Sequence, residues 1–273
     1  MFTLSNDWLA VSILDPIADQ ERFGVRYCTG GYIFQVEDHK HGPLLTGPTY
    51  PDSFNWFDGQ GIPDAFNLSP LRKPGEQGPN ALVIGIGECD LEARKVLSFC
   101  TWDIQQEGTS ITMRTSHSYG PYALDLERTV SLNQRTVRSY TKLTNTGEMF
   151  LQMRWFPHPF YPQTATDELF RVNFPVSLPN ATAYTLLDSG YIGRVGWPWT
   201  DIKGNFQVLA HQAQTNLIIQ QRHPIVNMVS ATCSYVPDFF PVWGNPNTFS
   251  WEPYIEQTIG IGQSYDWWID YDF

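Results

Sequence analysis

Positive charge is scarce in this sequence. Against 28 Asp and Glu stand 17 Lys and Arg, for a formal net charge of −11. No Lys/Arg cluster forms that could follow a phosphate backbone, so the reading excludes nucleic acid as a partner. The acidity speaks to solubility and says nothing about fold. Cysteine is scarcer still: Cys28, Cys89, Cys100 and Cys233 are scattered, with no CxxC pair and no His at zinc-finger spacing. They read as reduced core thiols. Long apolar runs are missing as well. No stretch approaches the roughly 18 apolar residues that span a bilayer, and "MFTLSNDWLAVSILDPIADQERF" has no basic segment ahead of an apolar one. The expectation is a cytoplasmic protein with no membrane partner.

Helical periodicity is the next absence. No stretch of ten or more residues carries a 3.6-residue apolar stripe, and 21 Gly and 20 Pro punctuate the chain throughout. What is present has period two. "YDWWIDYDF" sets Tyr265, Trp267, Ile269, Tyr271 and Phe273 on one face and Asp266, Trp268, Asp270 and Asp272 on the other, a half-buried strand. "TSITMRTS", "YIFQV", "ALVIGIG" and "NLIIQQ" are further short β-rich runs, and "KLTNTGEMFLQMRW" reads as two strands joined hairpin-fashion through Asn145, Thr146 and Gly147. With 15% aromatic and 16% charged residues, the chain has ample means to build a core. The fold class is all-β. One irregular block, residues 42 to 80, is too apolar for a linker and long enough to wall a pocket.

Two segments carry candidate chemistry. In "RWFPHPFYP", residues 154 to 162, His158 stands between Pro157 and Pro159, a fixed backbone suited to a positioned general acid or base. In "WGNPNTFSWEPYIE", residues 243 to 256, Glu252 stands between Trp251 and Pro253, where desolvation beside an indole raises a carboxyl pKa. Together they make an acid/base pair. "EDHKHG" places Glu37, Asp38, His39 and His41 close together, and a polar turn after a strand explains it without a metal.

"LTNTGEMFLQMRWFPHPFYP", followed by "NTFSWEPYIE" and "IGQSYDWWIDYDF", resembles the aldose 1-epimerase (galactose mutarotase-like) family, in particular its uncharacterised bacterial branch. The resemblance implies a galactose mutarotase-like large antiparallel β-sandwich, or supersandwich, with residues 1–273 as a single domain. It implies His158 as general acid and Glu252 as general base in the interconversion of α and β anomers of a hexose or hexose derivative. The sugar would be the small-molecule partner, with no metal and no organic cofactor. The family also places a sugar-binding Asp between these two residues, and Asp188 is favoured over Asp201. The first-half "Asn…His…His-Gly-Gly" segment of classical members is absent, and the role of its His is not transferred to His39 or His41.

A pyranose presents C–H faces to aromatic rings and hydroxyls to a few fixed polar groups. Candidate lining residues are Trp56, Trp155, Tyr161 and Trp251, with Trp197 and Trp199 as further supply. Arg26 is a candidate donor to a sugar hydroxyl or a phosphate. The alternatives are a non-catalytic carbohydrate-binding β-sandwich and, behind it, a polysaccharide lyase drawing on Tyr161 or Tyr191 with Arg154 or Arg194.

Overall fold

The alternation seen in the sequence becomes an extended antiparallel sheet in the computed structural model, which describes residues 1–273. Strand Ser264–Asp272 buries Trp267, Ile269 and Tyr271 and leaves Trp268 and Asp270 on the opposite face. Its neighbour Thr136–Asn145, and Tyr122–Asn133 on the far side of that strand, repeat the pattern. They belong to a ten-stranded antiparallel sheet that runs from Tyr184–Leu186 at one edge to Asp103–Glu107 at the other. On its outer face Arg138 pairs with Asp270 directly across the ladder at 2.6 Å and lies over the Trp268 ring. A cross-strand pair on an exposed face of this kind contributes little to stability.

A second layer covers the inner face. It is built from smaller sheets, including the three strands Ile255–Ile259, Leu151–Pro157 and Asp64–Ala65, and the four strands Tyr161–Pro162, Thr248–Trp251, Pro241–Gly244 and Asn205–Val208. Aromatic rings meet between the layers: Trp155 against Trp267 with centroids 5.1 Å apart, and Trp251 against Tyr271 at 6.0 Å. One apolar cluster of 51 buried residues, from Leu4 to Phe273, fills the space between. The only helix is the single 3₁₀ turn Gln20–Arg22, so no helix is long and apolar enough to cross a membrane. The all-β expectation matches this architecture. Of the cysteines, Cys28, Cys89 and Cys233 are buried thiols and Cys100 is half-buried.

The hairpin expected at Asn145–Gly147 does not form. Thr136–Asn145 is already paired on both sides, with Tyr122–Asn133 and Ser264–Asp272, so no ladder is free for the next strand. The chain instead turns out of the large sheet, and Leu151–Pro157 pairs with Ile255–Ile259 in the second layer. The same crossing is made nearby in the opposite direction, between Ile255–Ile259 and Ser264–Asp272.

Asn145 ties the two crossings together. Its side-chain amide donates to the Met149 carbonyl at 2.8 Å and to the Ile259 carbonyl at 2.9 Å, and its Oδ1 accepts from Gly147 N–H at 3.0 Å. Its backbone adds bonds to Gln263 and Gly262. The site is buried, so each bond lost leaves an unsatisfied polar group. Asn145→Ala is expected to cost about 2 to 4 kcal/mol in urea denaturation. A cost below about 1 kcal/mol, the value of a single ordinary hydrogen bond, would show that the corner holds without it.

Candidate active site

The segment "RWFPHPFYP" ends strand Leu151–Pro157 and leads into Tyr161–Pro162. Pro157 and Pro159 have no N–H, so His158 carries the one backbone donor of that tripeptide. It donates to the Pro63 carbonyl at 2.8 Å, and Phe160 N–H donates to the Gly61 carbonyl at 2.7 Å. The imidazole stacks on Phe160, with centroids 4.3 Å apart, and meets the edges of Trp243 at 5.7 Å and Tyr27 at 6.3 Å. Backbone and ring are both held, and the side chain is buried.

Glu252 follows directly on Thr248–Trp251, a strand buried at all four positions. Its N–H donates to the Pro241 carbonyl at 2.9 Å. Its Oε1 lies 3.3 Å from His158 Nε2, and the Tyr254 hydroxyl donates to Oε2 at 3.5 Å. Tyr254 in turn lies flat on Phe156, with centroids 4.4 Å apart.

A cavity of about 630 Å³ holds both groups in its lining, within the range of roughly 300 to 1,000 Å³ usual for small-molecule sites. Phe57, Phe156, Phe160, Phe206, Trp243 and Tyr254 supply aromatic wall. Arg26, Asp58, Asn67 and Lys203 supply polar groups. The Arg26 guanidinium donates to the Phe57 carbonyl at 2.8 Å and lies over the rings of Phe57 and Tyr27.

Burial drives the electrostatics. It pushes the Glu252 carboxyl up to about 8, against the opposing pull of the Arg26 charge and the Tyr254 hydroxyl. Burial, and after it the same Arg26 charge, push the His158 imidazole well below its usual range. At neutral pH the Glu252 carboxyl therefore keeps its proton and lies against an uncharged imidazole.

Of the residues singled out in the sequence, the structure gathers His158, Glu252 and Arg26 around this one cavity. The others lie elsewhere. Trp155, Tyr161 and Trp251 are enclosed in the core between the layers, because the period-two alternation of their short strands turns them inward. Trp251 Nε1 donates to the Gln221 Oε1 there, at 2.6 Å. Trp56 packs on Gly24 and on a small cluster around Val83, outside the cavity lining. Asp188 is an exposed residue in a turn, and Asp201 holds another turn by accepting from Lys203 N–H. Asp38 likewise folds the "EDHKHG" turn, accepting from the N–H groups of Lys40 and His41.

The residues drafted for a lyase do not meet here either. Tyr161 and Tyr191 are buried away from the cavity, Arg154 pairs with Glu256, and Arg194 donates to the carbonyls of Thr164 and Thr166.

Several lining residues carry no local signal of their own. Phe160 and Trp243 lie within the two quoted segments and could have been found by proximity to His158 and Glu252. Asn67 sits in a sequon-like "NLS", yet its Oδ1 is buried without a partner in the cavity wall. Phe57, Asp58, Asn67 and Leu68 all come from the irregular block 42 to 80, which forms one wall.

No family model matches the sequence, and no curated protein matches it. Solved structures do match in fold. The galactose mutarotase related enzyme from Lactobacillus acidophilus is 12% identical, with 99% of this chain and 96% of that one covered and a TM-score of 0.66. A galactose mutarotase-like protein from Lactobacillus casei is 12% identical, with 100% and 99% covered and a TM-score of 0.61. The GalM/aldose epimerase homologue from C. elegans is 12% identical, with 99% and 97% covered and a TM-score of 0.53. The fold of this chain is galactose mutarotase-like.

The raised carboxyl makes a stability prediction. Glu252 favours the fold while protonated, so its contribution is complete below the ordinary carboxyl range and is lost as pH rises toward about 8. Glu252→Gln removes that liability. The variant is expected to melt with wild type near pH 4 and on the order of 5 to 10 °C higher at pH 9. Parallel melting curves at both pH values would contradict a buried protonated carboxyl.

Proposed function

We propose that the protein is an aldose 1-epimerase, an isomerase that interconverts the anomers of a hexose or hexose derivative. The observation that carries this reading is the 3.3 Å contact between His158 Nε2 and Glu252 Oε1 in the wall of an aromatic cavity. The fold, shared with proteins named as mutarotase-related and aldose epimerase-like, supports it.

Opening a pyranose requires a proton to leave the C1 hydroxyl and another to reach the ring oxygen. Both oxygens are borne by one carbon, so the acid and the base must themselves be neighbours. His158 and Glu252 are, one placed to take the proton of the C1 hydroxyl and the other to supply the proton of the ring oxygen. In the resting ionisation, neutral His158 accepts the proton of the C1 hydroxyl while Glu252 delivers its own to the ring oxygen. The C1 to ring-oxygen bond breaks and an open aldehyde forms. After rotation about C1–C2 the carbonyl presents its other face and the transfers run backward. This inverts the order implied by the family resemblance, in which Glu252 is the first acceptor. The reason is the buried carboxyl, which keeps its proton at neutral pH.

The aromatic walls suit the C–H faces of the sugar. Arg26, and the unpartnered Oδ1 of Asn67, suit its hydroxyls. The binding-domain alternative predicts the same affinity and no turnover.

Polarimetry on a panel of free and phosphorylated hexoses separates the two. Wild type is expected to accelerate interconversion of at least one sugar, and His158→Asn and Glu252→Gln each to lose about 10² to 10⁴ fold. The rate is expected to hold through neutrality and fall above about pH 8, where Glu252 loses its proton. Folded protein that binds sugar without accelerating the reaction would reject the epimerase and leave the binding domain.

A further inference from the structure

We propose that the buried ion pair Arg128–Asp64 is the positioning device of this centre, fixing the segments that carry His158 and Arg26, and is not there to stabilise the fold. The proposal rests on reading His158 and Glu252 as the acid/base pair.

Arg128 breaks an apolar pattern. On strand Tyr122–Asn133 the other inward positions of the alternation are Leu124, Leu126, Val130 and Leu132, yet Arg128 points into the same core with 1% of its surface exposed. Asp64, on the short strand Asp64–Ala65 of the second layer, is 6% exposed. The guanidinium grips both carboxylate oxygens, Nη1 to Oδ1 at 2.8 Å and Nη2 to Oδ2. Gly31, at φ +73°, lets the backbone pass against the Arg128 side chain, where a Cβ would lie 3.3 Å from Arg128 Nε.

Such a pair adds little net stability. Desolvating two charges offsets most of their attraction, and well-packed apolar residues often do as well or better. What a two-point fork adds is direction, since it fixes the plane and distance of the carboxylate it holds.

The backbone of Asp64 carries that direction to the site. Its carbonyl accepts from Cys28 N–H at 2.8 Å, two residues from Arg26, and Asp64 pairs with Pro157 in the ladder. The preceding carbonyl, that of Pro63, accepts the N–H of His158. One side-chain grip thus orients two adjacent carbonyls, and from those hang the segments of the imidazole and of the cation that faces it.

The test replaces the pair by apolar residues of similar combined volume, Arg128→Met with Asp64→Leu. The control is Arg138→Gln with Asp270→Asn, the two-point pair on the outer face of the same sheet. Three quantities are read: melting temperature, kcat and KM for anomer interconversion, and the imidazole ¹⁵N resonances of His158 across pH, which need no substrate.

The core double variant is expected to melt close to wild type, to lose about tenfold to a hundredfold in kcat, to change KM by less than about threefold, and to shift the His158 resonances. The control is expected to change none of these. A core double variant that fails to fold would overturn the proposal, because the pair would then be structural. One with full kcat and unmoved His158 resonances would overturn it as well. Were wild type to show no epimerase activity, the proposed function would fail, and the His158 resonances would still decide whether the pair positions that residue.

Discussion

Five residues, Gly61 to Ala65, are the constraint on which the cavity depends. Gly61 bonds by its N–H to Thr46 and by its carbonyl to Phe160, Ile62 to Ile33, Pro63 to His158, and Asp64 to Cys28. Ala65 pairs with Phe156. The partners come from three segments of chain, Cys28 to Ile33, Thr46, and Phe156 to Phe160, and the last of these lines the cavity. The stretch can lie so close only because Gly61 has no side chain: at φ +75°, a Cβ there would sit 2.3 Å from the Phe34 carbonyl oxygen. A loop by sequence thus acts as a structural strand.

Placing an acid and a base against this backbone has a thermodynamic consequence. His158 and Glu252 are walled by aromatic rings, so both are held in their uncharged forms at neutral pH. Neutral partners are what a proton exchange with a sugar requires, since each can take or give without leaving an isolated charge in a dry cavity. The same burial makes the carboxyl a liability to the fold in alkali, a trade between stability and function common at active sites.

Much of the fold was legible because β periodicity is local. The face assignment of residues 265 to 272 follows from alternation alone, and His158 and Glu252 stand out because prolines and indoles flank them. What escaped was decided at long range. Asn145 reads as a hairpin turn, and only the filled ladder on both sides of its strand sends the chain to the other layer. Trp155, Tyr161 and Trp251 were attractive as sugar platforms by composition, but the alternation of short strands buries them between the sheets. Phe206, on strand Asn205–Val208, and Ile202, in the loop before it, border the cavity with no motif to mark them, and Asn67 does so from the irregular block. The inward turn of Arg128 is visible only beside Asp64, its partner 64 residues away in sequence.

The most direct test of the acid/base pair is a crystal structure at neutral pH with a reducing hexose bound. The expected result is a pyranose between the aromatic walls, with its C1 hydroxyl and ring oxygen each within hydrogen-bond distance of His158 Nε2 or Glu252. A sugar held at the rim with His158 and Glu252 still in mutual contact and no bond to its anomeric centre would contradict a ring-opening site.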